Sequence, residues 1–352
     1  MMHINESIRN TNRVFDENER TNYLRLDLNE NPDGLPFDFI KKVLSKISKE
    51  DISKSPETKS VTEKIAKYNN VSNDCVCITN GSAEAIRYVF ECFTSVCGKV
   101  VSIKPAYFMY NIYSQLYGRN IVEIDYDQDF NISVDSIKKN ITEDTQLLIL
   151  MNPNNPIGDK YRDKDIEDLL DTASSVGCVV LIDEAYCDFC GGSASKLLEK
   201  YNNIIIVKTF SKFFSMAGLR FGYAVGSSDL ISTMRKACTP HNTNVFAHKF
   251  AEEILSDEYI IDELKENFVK GKSNLINFLD ANNYKYINTY GNFILIRVNG
   301  SASKIVNNLK KNYKILIKKY DFDFDTDKYI RVTIGGESSM RQFIDALSKE
   351  DL

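Results

Sequence analysis

No stretch of this 352-residue chain approaches the roughly eighteen uncharged apolar residues that a helix needs to cross a bilayer, and the opening Met1-Met-His-Ile-Asn-Glu-Ser has no apolar core. A membrane-free, cytoplasmic protein is therefore expected. Basic residues are not in excess either, since 44 Lys and Arg stand against 49 Asp and Glu for a net charge of -5. Without a basic face or arm, nucleic acid is not an expected partner and a small-molecule ligand is favoured. Histidine is scarce: only His3, His241 and His248 occur, so Cys187-Asp-Phe-Cys190, which has no second cysteine pair, lacks the ligands of a structural zinc site and no metal is expected. The eight cysteines follow no regular framework and read as reduced, mostly buried thiols. Asp321-Phe-Asp-Phe-Asp-Thr-Asp327 lacks the glycine and glutamate of a calcium loop and reads as a solvated acidic loop. Repeats, low-complexity linkers and Pro/Gly-rich hinges are also missing.

What the chain has is alternation. Val100-Val-Ser-Ile103, Leu147-Leu-Ile-Leu150, Cys178-Val-Val-Leu-Ile182 and Ile204-Ile-Ile-Val207 are short apolar runs, the pattern of strands buried on both faces. Between two of them Ile166, Leu169, Leu170, Ala173 and Val176 make one apolar stripe at helical spacing. Strand, helix, strand at this rhythm predicts an α/β fold with a mostly parallel sheet covered by helices, and in such sheets ligands gather at the carboxyl ends of the strands. After about residue 237 the pattern changes to longer polar helices, one of them over 252–279, and to short strands at Phe293-Ile-Leu-Ile296 and Tyr329-Ile-Arg-Val-Thr-Ile334. A chain this long exceeds one hydrophobic core. Residues 36–237 are expected to form a large α/β domain, and residues 1–35 with 238–352 a smaller α+β domain.

Residues that carry chemistry fall where the strands end. Lys212 lies in Thr209-Phe-Ser-Lys212, ahead of Arg220 in Gly218-Leu-Arg-Phe-Gly-Tyr223. Asp183 ends a strand within Ile182-Asp-Glu-Ala-Tyr186, and Asn155 sits in Asn152-Pro-Asn-Asn-Pro156 directly after another. Each alone has an ordinary reading: a solvated Ser-Lys pair, an aspartate capping a turn, a turn-forming Asn-Pro run. Together, in this order, they supply what pyridoxal 5'-phosphate (PLP) needs, an amine, a carboxylate for the pyridinium nitrogen, and donors for the phenolate oxygen. Lys212 is the amine and, once released, can move a proton to and from substrate carbon. Asp183 would be costly to bury without a partner such as the pyridinium N–H. Tyr186 and Asn155 are the candidate donors to the phenolate oxygen. Gly81-Ser82-Ala83 opens a helix after the run Val76-Cys-Ile-Thr79, so backbone N–H groups can approach a phosphate there. Thr209, Ser211 and Arg220 complete that cradle, with Arg220 as charge partner. Tyr107, at the strand exit Pro105-Ala-Tyr107, either stacks on the ring or fills the core.

This set of motifs resembles the class I/II, fold-type I, PLP-dependent aminotransferases. Leu28-Asn-Glu-Asn-Pro32, Gly81-Ser-Ala-Glu84, Pro105-Ala-Tyr107 and Arg331-Val-Thr-Ile-Gly335 resemble more narrowly the histidinol-phosphate aminotransferase branch, which also contains threonine-phosphate decarboxylases. The resemblance runs from about residue 24 to the C-terminus. It implies a mostly parallel seven-stranded sheet and a homodimer with its active site at the subunit interface. It also implies Lys212 as the Schiff-base lysine, Tyr107 stacked on the ring, and Ser82, Ala83, Thr209, Ser211 and Arg220 around the phosphate. Arg331 is similar to the arginine that holds the substrate's anionic group, and Asn29 is a second substrate-binding candidate. The reaction implied is amino transfer, from L-glutamate to a small phosphorylated carbonyl compound; decarboxylation of phosphoserine or phosphothreonine is the alternative. The chain departs from the branch at Ser55, where a tyrosine usually reaches the partner subunit's cofactor phosphate, at Ala83, usually acidic, and at Ile157, usually threonine. No aromatic-rich segment is recognisable before Leu24.

Overall fold

The computed structural model describes residues 4–11 and 19–351. Its strands form three sheets. β1 (Leu24–Arg25) pairs in parallel with β11 (Ile315–Leu316), fastening the N-terminal arm to the C-terminal part of the chain. The largest sheet holds β2 (Val76–Thr79), β3 (Lys99–Lys104), β4 (Asn120–Asp125), β5 (Thr145–Met151), β6 (Val179–Asp183), β7 (Ile204–Thr209) and β8 (Gly222–Gly226), in the order β2-β8-β7-β6-β5-β3-β4. All are parallel except β8, which runs against both of its neighbours. The seven-stranded, mostly parallel sheet is as expected.

Both faces of this sheet are covered, which is why its central strands are apolar without a break. Side chains alternate between the faces at the period of a strand. Leu148, Leu150, Val180, Ile182, Ile204 and Ile206 join one core, packed by the helices Lys59–Asn69, Asp163–Ser175 and Val245–Ile254. Leu147, Ile149, Leu181, Ile205 and Val207 join the other, packed by the helices Ser82–Phe93, Met109–Leu116 and Ser228–Ala237. In the helix Asp163–Ser175, Ile166, Leu169, Leu170 and Ala173 are the buried face, and Val176 is its C-cap.

The remaining sheet is antiparallel, with β9 (Lys285–Ile287), β10 (Phe293–Arg297), β12 (Lys318–Phe322) and β13 (Asp325–Thr333) in the order β12-β13-β10-β9. A third core lies beneath it, built from Ile294, Ile296, Ile330 and Val332 with Leu275, Leu279, Ile305, Leu309, Phe343 and Leu347 from the helices Glu258–Ala281, Ala302–Tyr313 and Glu337–Asp351. Leu26 of the N-terminal arm is buried in the same core.

Two readings of this region are corrected. The helix expected over 252–279 is two, Val245–Ile254 and Glu258–Ala281, because the chain leaves helical geometry at Asp257, the extended N-cap of the second. The acidic segment Asp321–Asp327 is a β-hairpin rather than a loop: Asp321 and Asp323 are solvated as expected, but Phe322 is buried, and Asp327 accepts hydrogen bonds from Ser301 Oγ (2.6 Å) and the Ser303 N–H (2.8 Å). Its alternating phenylalanines face an aromatic cluster, and that outweighs the charge of the intervening aspartates.

Past residue 237 the cores do not change over at once. Ala247, Phe250, Ala251, Ile254, Ile260 and Leu264 belong to the large-sheet core, and Phe268, Leu275 and Leu279 to the third. We propose the domain boundary within the helix Glu258–Ala281, between Leu264 and Phe268. No helix among the described residues is long and apolar enough to cross a membrane.

Candidate active site

The parallel strands β2, β3, β5, β6 and β7 all deliver their carboxyl ends to one edge of the large sheet, and β8, running the other way, begins there. A cavity of about 380 Å³ opens at that edge, beneath the β12 hairpin. Asn29, Ser82, Ala83, Tyr107, Asn155, Asp183, Tyr186, Thr209, Ser211, Lys212, Arg220 and Arg331 all line it. Of the residues singled out in the sequence only Gly81 is absent from the wall, and it lies directly behind Arg220.

Asp183 is 1% exposed. Its Oδ2 accepts from Tyr110 Oη at 2.7 Å and its Oδ1 from the Ala185 N–H at 3.1 Å. Burial raises its pKa to about 6, against which the Tyr110 bond works. With two donors already in place, this carboxylate forms no ion pair among the described residues, although the charge of Lys212 favours its ionised form. Lys212 Nζ donates to the Leu28 carbonyl at 2.7 Å. Burial lowers its pKa to about 8, with Arg331 and Arg220 acting in the same direction and Glu30 and Asp183 against. The amine is thus closer to its neutral, nucleophilic form at neutral pH than an ordinary lysine.

Tyr186 Oη accepts from Asn29 Nδ2 (2.9 Å) and Asn155 Nδ2 (3.2 Å). Burial raises its pKa to about 12, so it keeps its proton. With two amides donating to its oxygen and no acceptor for its own hydrogen among the described residues, the hydroxyl is left as a donor at the cavity wall. Arg331 sets the Asn155 amide: a guanidinium can only donate, and its Nη1 meets Asn155 Oδ1 at 2.5 Å, which turns the NH2 toward Tyr186. The same guanidinium donates to Tyr320 Oη (3.0 Å) and the Asp27 carbonyl (2.6 Å). Its Nε is buried with no partner among the described residues. Asn29, expected to meet substrate, spends its amide on Tyr186, and its own N–H donates to Thr333 Oγ1 at 3.0 Å.

At the other end, Arg220 Nη1 donates to Ser211 Oγ (3.2 Å) and the Ala217 carbonyl (3.1 Å). Gly81, at φ +77°, precedes the helix Ser82–Phe93, and a Cβ there would stand 2.8 Å from Arg220 Nη2. Gly222 admits the turn itself: a Cβ would meet the Ser82 N at 2.6 Å and the Lys208 carbonyl at 2.8 Å. Small residues, a helix N-terminus and an arginine form an anion cradle.

The sequence reading missed four participants. Tyr110 is visible only as the third residue after Tyr107, and its bond to Asp183 spans two strands. Lys318 and Tyr320 alternate along β12 and line the cavity; in the register of the hairpin Lys318 stands opposite Arg331. Lys208, buried behind the site, lies 3.4 Å from Glu184 and ties together the ends of β7 and β6.

The family model of aminotransferase class I and II matches residues 21–347. The chain belongs to this aminotransferase family. It is an enzyme that transfers amino groups, and its cofactor is PLP. The chain is 32% identical over 330 residues to histidinol-phosphate aminotransferase 1 of Carboxydothermus hydrogenoformans, covering 93% of this chain and 92% of that one. It is similar in structure to the histidinol-phosphate aminotransferase of Clostridium acetobutylicum, with TM-score 0.83, 26% identity and coverage of 93% and 98%. The fold is shared with L-threonine-O-3-phosphate decarboxylase of Porphyromonas gingivalis, with TM-score 0.78, 21% identity and coverage of 93% and 98%.

The aminotransferase cavity fits PLP group by group. A carboxylate raised by burial suits a pyridinium, the undirected hydroxyl of Tyr186 suits a phenolate oxygen, and the Gly81 turn with Arg220 suits a phosphate. Lys212 presents the amine between them.

Proposed function

We propose that this aminotransferase carries an amino group from L-glutamate to a small carbonyl compound bearing a phosphate ester. The observation that carries the phosphate is the cationic pair at the hairpin end of the cavity. Lys318 and Arg331 stand directly across from each other in neighbouring strands, both line the cavity, and Arg331 Nε is buried without a hydrogen-bond partner among the described residues. Two cationic side chains lining the same end of a cavity favour an anion between them. Arg220 supplies a second cationic end, so the cavity holds one anion site for the cofactor and one for the substrate. The curated relatives it matches at 27–32% identity are named histidinol-phosphate aminotransferases, which supports the same substrate class.

When bound, PLP supplies the aldehyde that receives the amino group and a ring that draws electrons from substrate carbon. The chain supplies position and protons. Asp183 holds the pyridine nitrogen's proton, and Tyr110 keeps that carboxylate ionised. Tyr186 and Asn155 donate to the phenolate oxygen, with Asn29 and Arg331 holding them in line. Tyr107 packs on the ring. Gly81, Ser82, Ala83, Thr209, Ser211 and Arg220 receive the phosphate. Lys212 Nζ takes the proton from substrate carbon and returns it at the other end of the transfer.

The enzyme works as a cytoplasmic homodimer in this reading. Leu28 and Phe108 line the cavity yet remain exposed, which supports a second subunit closing over them; sedimentation should give twice the 40.2 kDa of the chain.

The test adds L-glutamate to the PLP-loaded enzyme with no acceptor present. Loss of the cofactor's visible band, with 2-oxoglutarate formed in proportion to enzyme, is expected, and a phosphorylated ketone or aldehyde should then restore the band. Release of carbon dioxide from a phosphorylated amino acid, with the band unchanged by any amino donor, would overturn the reading in favour of a decarboxylase.

A further inference from the structure

Two thiols face each other outside the catalytic cavity. Cys77 lies in β2, buried in the core beside Tyr88 and Val89, and Cys238 is the half-buried C-cap of the helix Ser228–Ala237. Their sulfurs are 3.5 Å apart. A disulfide holds its sulfurs at about 2.05 Å, so a side-chain movement of about 1.5 Å closes the gap. The Cys-x-x-Cys pair that the sequence makes conspicuous is arranged differently: Cys190 Sγ points to the carbonyls of Cys187 (3.4 Å) and Gly191 (3.6 Å).

The surroundings place the pair behind the phosphate cradle. Strand β2 runs from Cys77 to Thr79, whose Oγ1 donates to the Gly81 carbonyl at 3.0 Å. The chain after Cys238 lies along the same elements, where Asn242 Nδ2 donates to the Ile78 carbonyl (3.3 Å) and to Glu84 Oε2 (2.7 Å). That same Glu84 oxygen accepts the Asn80 N–H at 2.7 Å. A covalent bond between the two sulfurs would tether an edge strand, just ahead of the turn that holds the cofactor's phosphate, to the segment packed against it.

We propose that Cys77 and Cys238 are a peroxide-reactive thiol pair that closes to a reversible disulfide. The accessible partner reacts first. The Cys238 sulfur attacks one oxygen of a hydroperoxide, the O–O bond breaks, and a sulfenic acid and water (or an alcohol) are formed. The Cys77 sulfur then attacks the sulfenic sulfur, the S–S bond forms and the hydroxyl leaves as a second water. Two thiols have given two electrons and two protons, all taken up by the peroxide, and a dithiol reductant reverses the change. The hydrogen bond from Cys77 lowers the pKa of Cys238, in keeping with its role as the attacking group.

The experiment uses the PLP-loaded enzyme, treated with hydrogen peroxide, then alkylated and analysed by peptide mass spectrometry. A linked peptide joining Cys77 to Cys238 is expected, with six of the eight thiols still alkylated and all eight recovered after dithiothreitol. Cys238→Ser, at a half-buried cap, should keep its activity with glutamate, lose the linked peptide and leave Cys77 reduced. Full alkylation of both residues after peroxide, a bond between any other two cysteines, or Cys238 carried on to a sulfinic acid while Cys77 stays free would each overturn the proposal.

Discussion

At the scale of single residues the site is a set of charges held away from their ordinary states by burial. Asp183, raised in the fold to about 6, contributes stability to the cofactor-free protein only while it is protonated. That contribution is present below the ordinary carboxylate range and is lost as pH rises through about 6. The pyridinium of bound PLP then compensates, so stabilisation against denaturant by added PLP should be greater at pH 7 than at pH 5, by about 1 kcal/mol. Tyr110→Phe removes the 2.7 Å bond that favours the carboxylate. Asp183 should then titrate still higher, and the acid limb of PLP affinity, followed by visible titration from pH 5.5 to 8.5, should move up by about one pH unit. An unmoved limb would mean that Tyr110 only packs. Lys212 titrates at about 8. The rate at which added PLP becomes covalently attached should climb between pH 7 and 9, and Lys212→Ala should abolish attachment and cut 2-oxoglutarate formation by at least about a hundredfold.

Elements matter here for the turns between them. Gly81 and Gly222 bring a helix N-terminus, a strand start and a strand end together within van der Waals distance, and each has a different tolerance. At Gly81 the obstacle is the tip of a flexible side chain, Arg220, plus a positive φ. Gly81→Ala should fold with a loss of about 1 kcal/mol and bind PLP about tenfold more weakly, because the guanidinium that moves aside is the proposed partner of the phosphate. At Gly222 the obstacles are backbone atoms of Ser82, Gly81 and Lys208, none of which can turn away. Gly222→Ala should therefore cost several kcal/mol and give little soluble protein, a contrast that unfolding curves and expression yield would measure.

For the whole molecule the decisive contact is the one between the large sheet's loops and the β12–β13 hairpin. Phe130, after β4, lies 4.9 Å from Phe322, 5.4 Å from Phe324 and 5.7 Å from Tyr329 between ring centres. Tyr320 and Lys318 are carried on the same hairpin, so this cluster fixes where the proposed substrate anion site stands over the proposed cofactor site. Phe130→Ala should lower the unfolding free energy by about 2 kcal/mol and raise KM for both substrates severalfold while kcat stays within about twofold. A fall in kcat alone would argue that the hairpin serves the chemistry and not the fit.

The sequence alone determined the alternation of strands and helices, the mostly parallel seven-stranded sheet through its family resemblance, and the roles open to Lys212, Asp183, Asn155 and Arg220, because the first three lie at or within a few residues of the end of a buried strand and Arg220 just ahead of the start of another, where local order keeps them. Ile157, where the family pattern has threonine, could be read as a departure but not as what the fold makes of it, a fully buried contact of Leu295. Only the tertiary structure decided that Tyr110 supports Asp183, that Asn29 donates to Tyr186, and that Lys318 faces Arg331. Those relations depend on the register of strands and on contacts between residues 73, 157 and more positions apart. Spacing along the chain carries no trace of them, since they are fixed when separate elements pack and each buried polar atom finds the partner it needs.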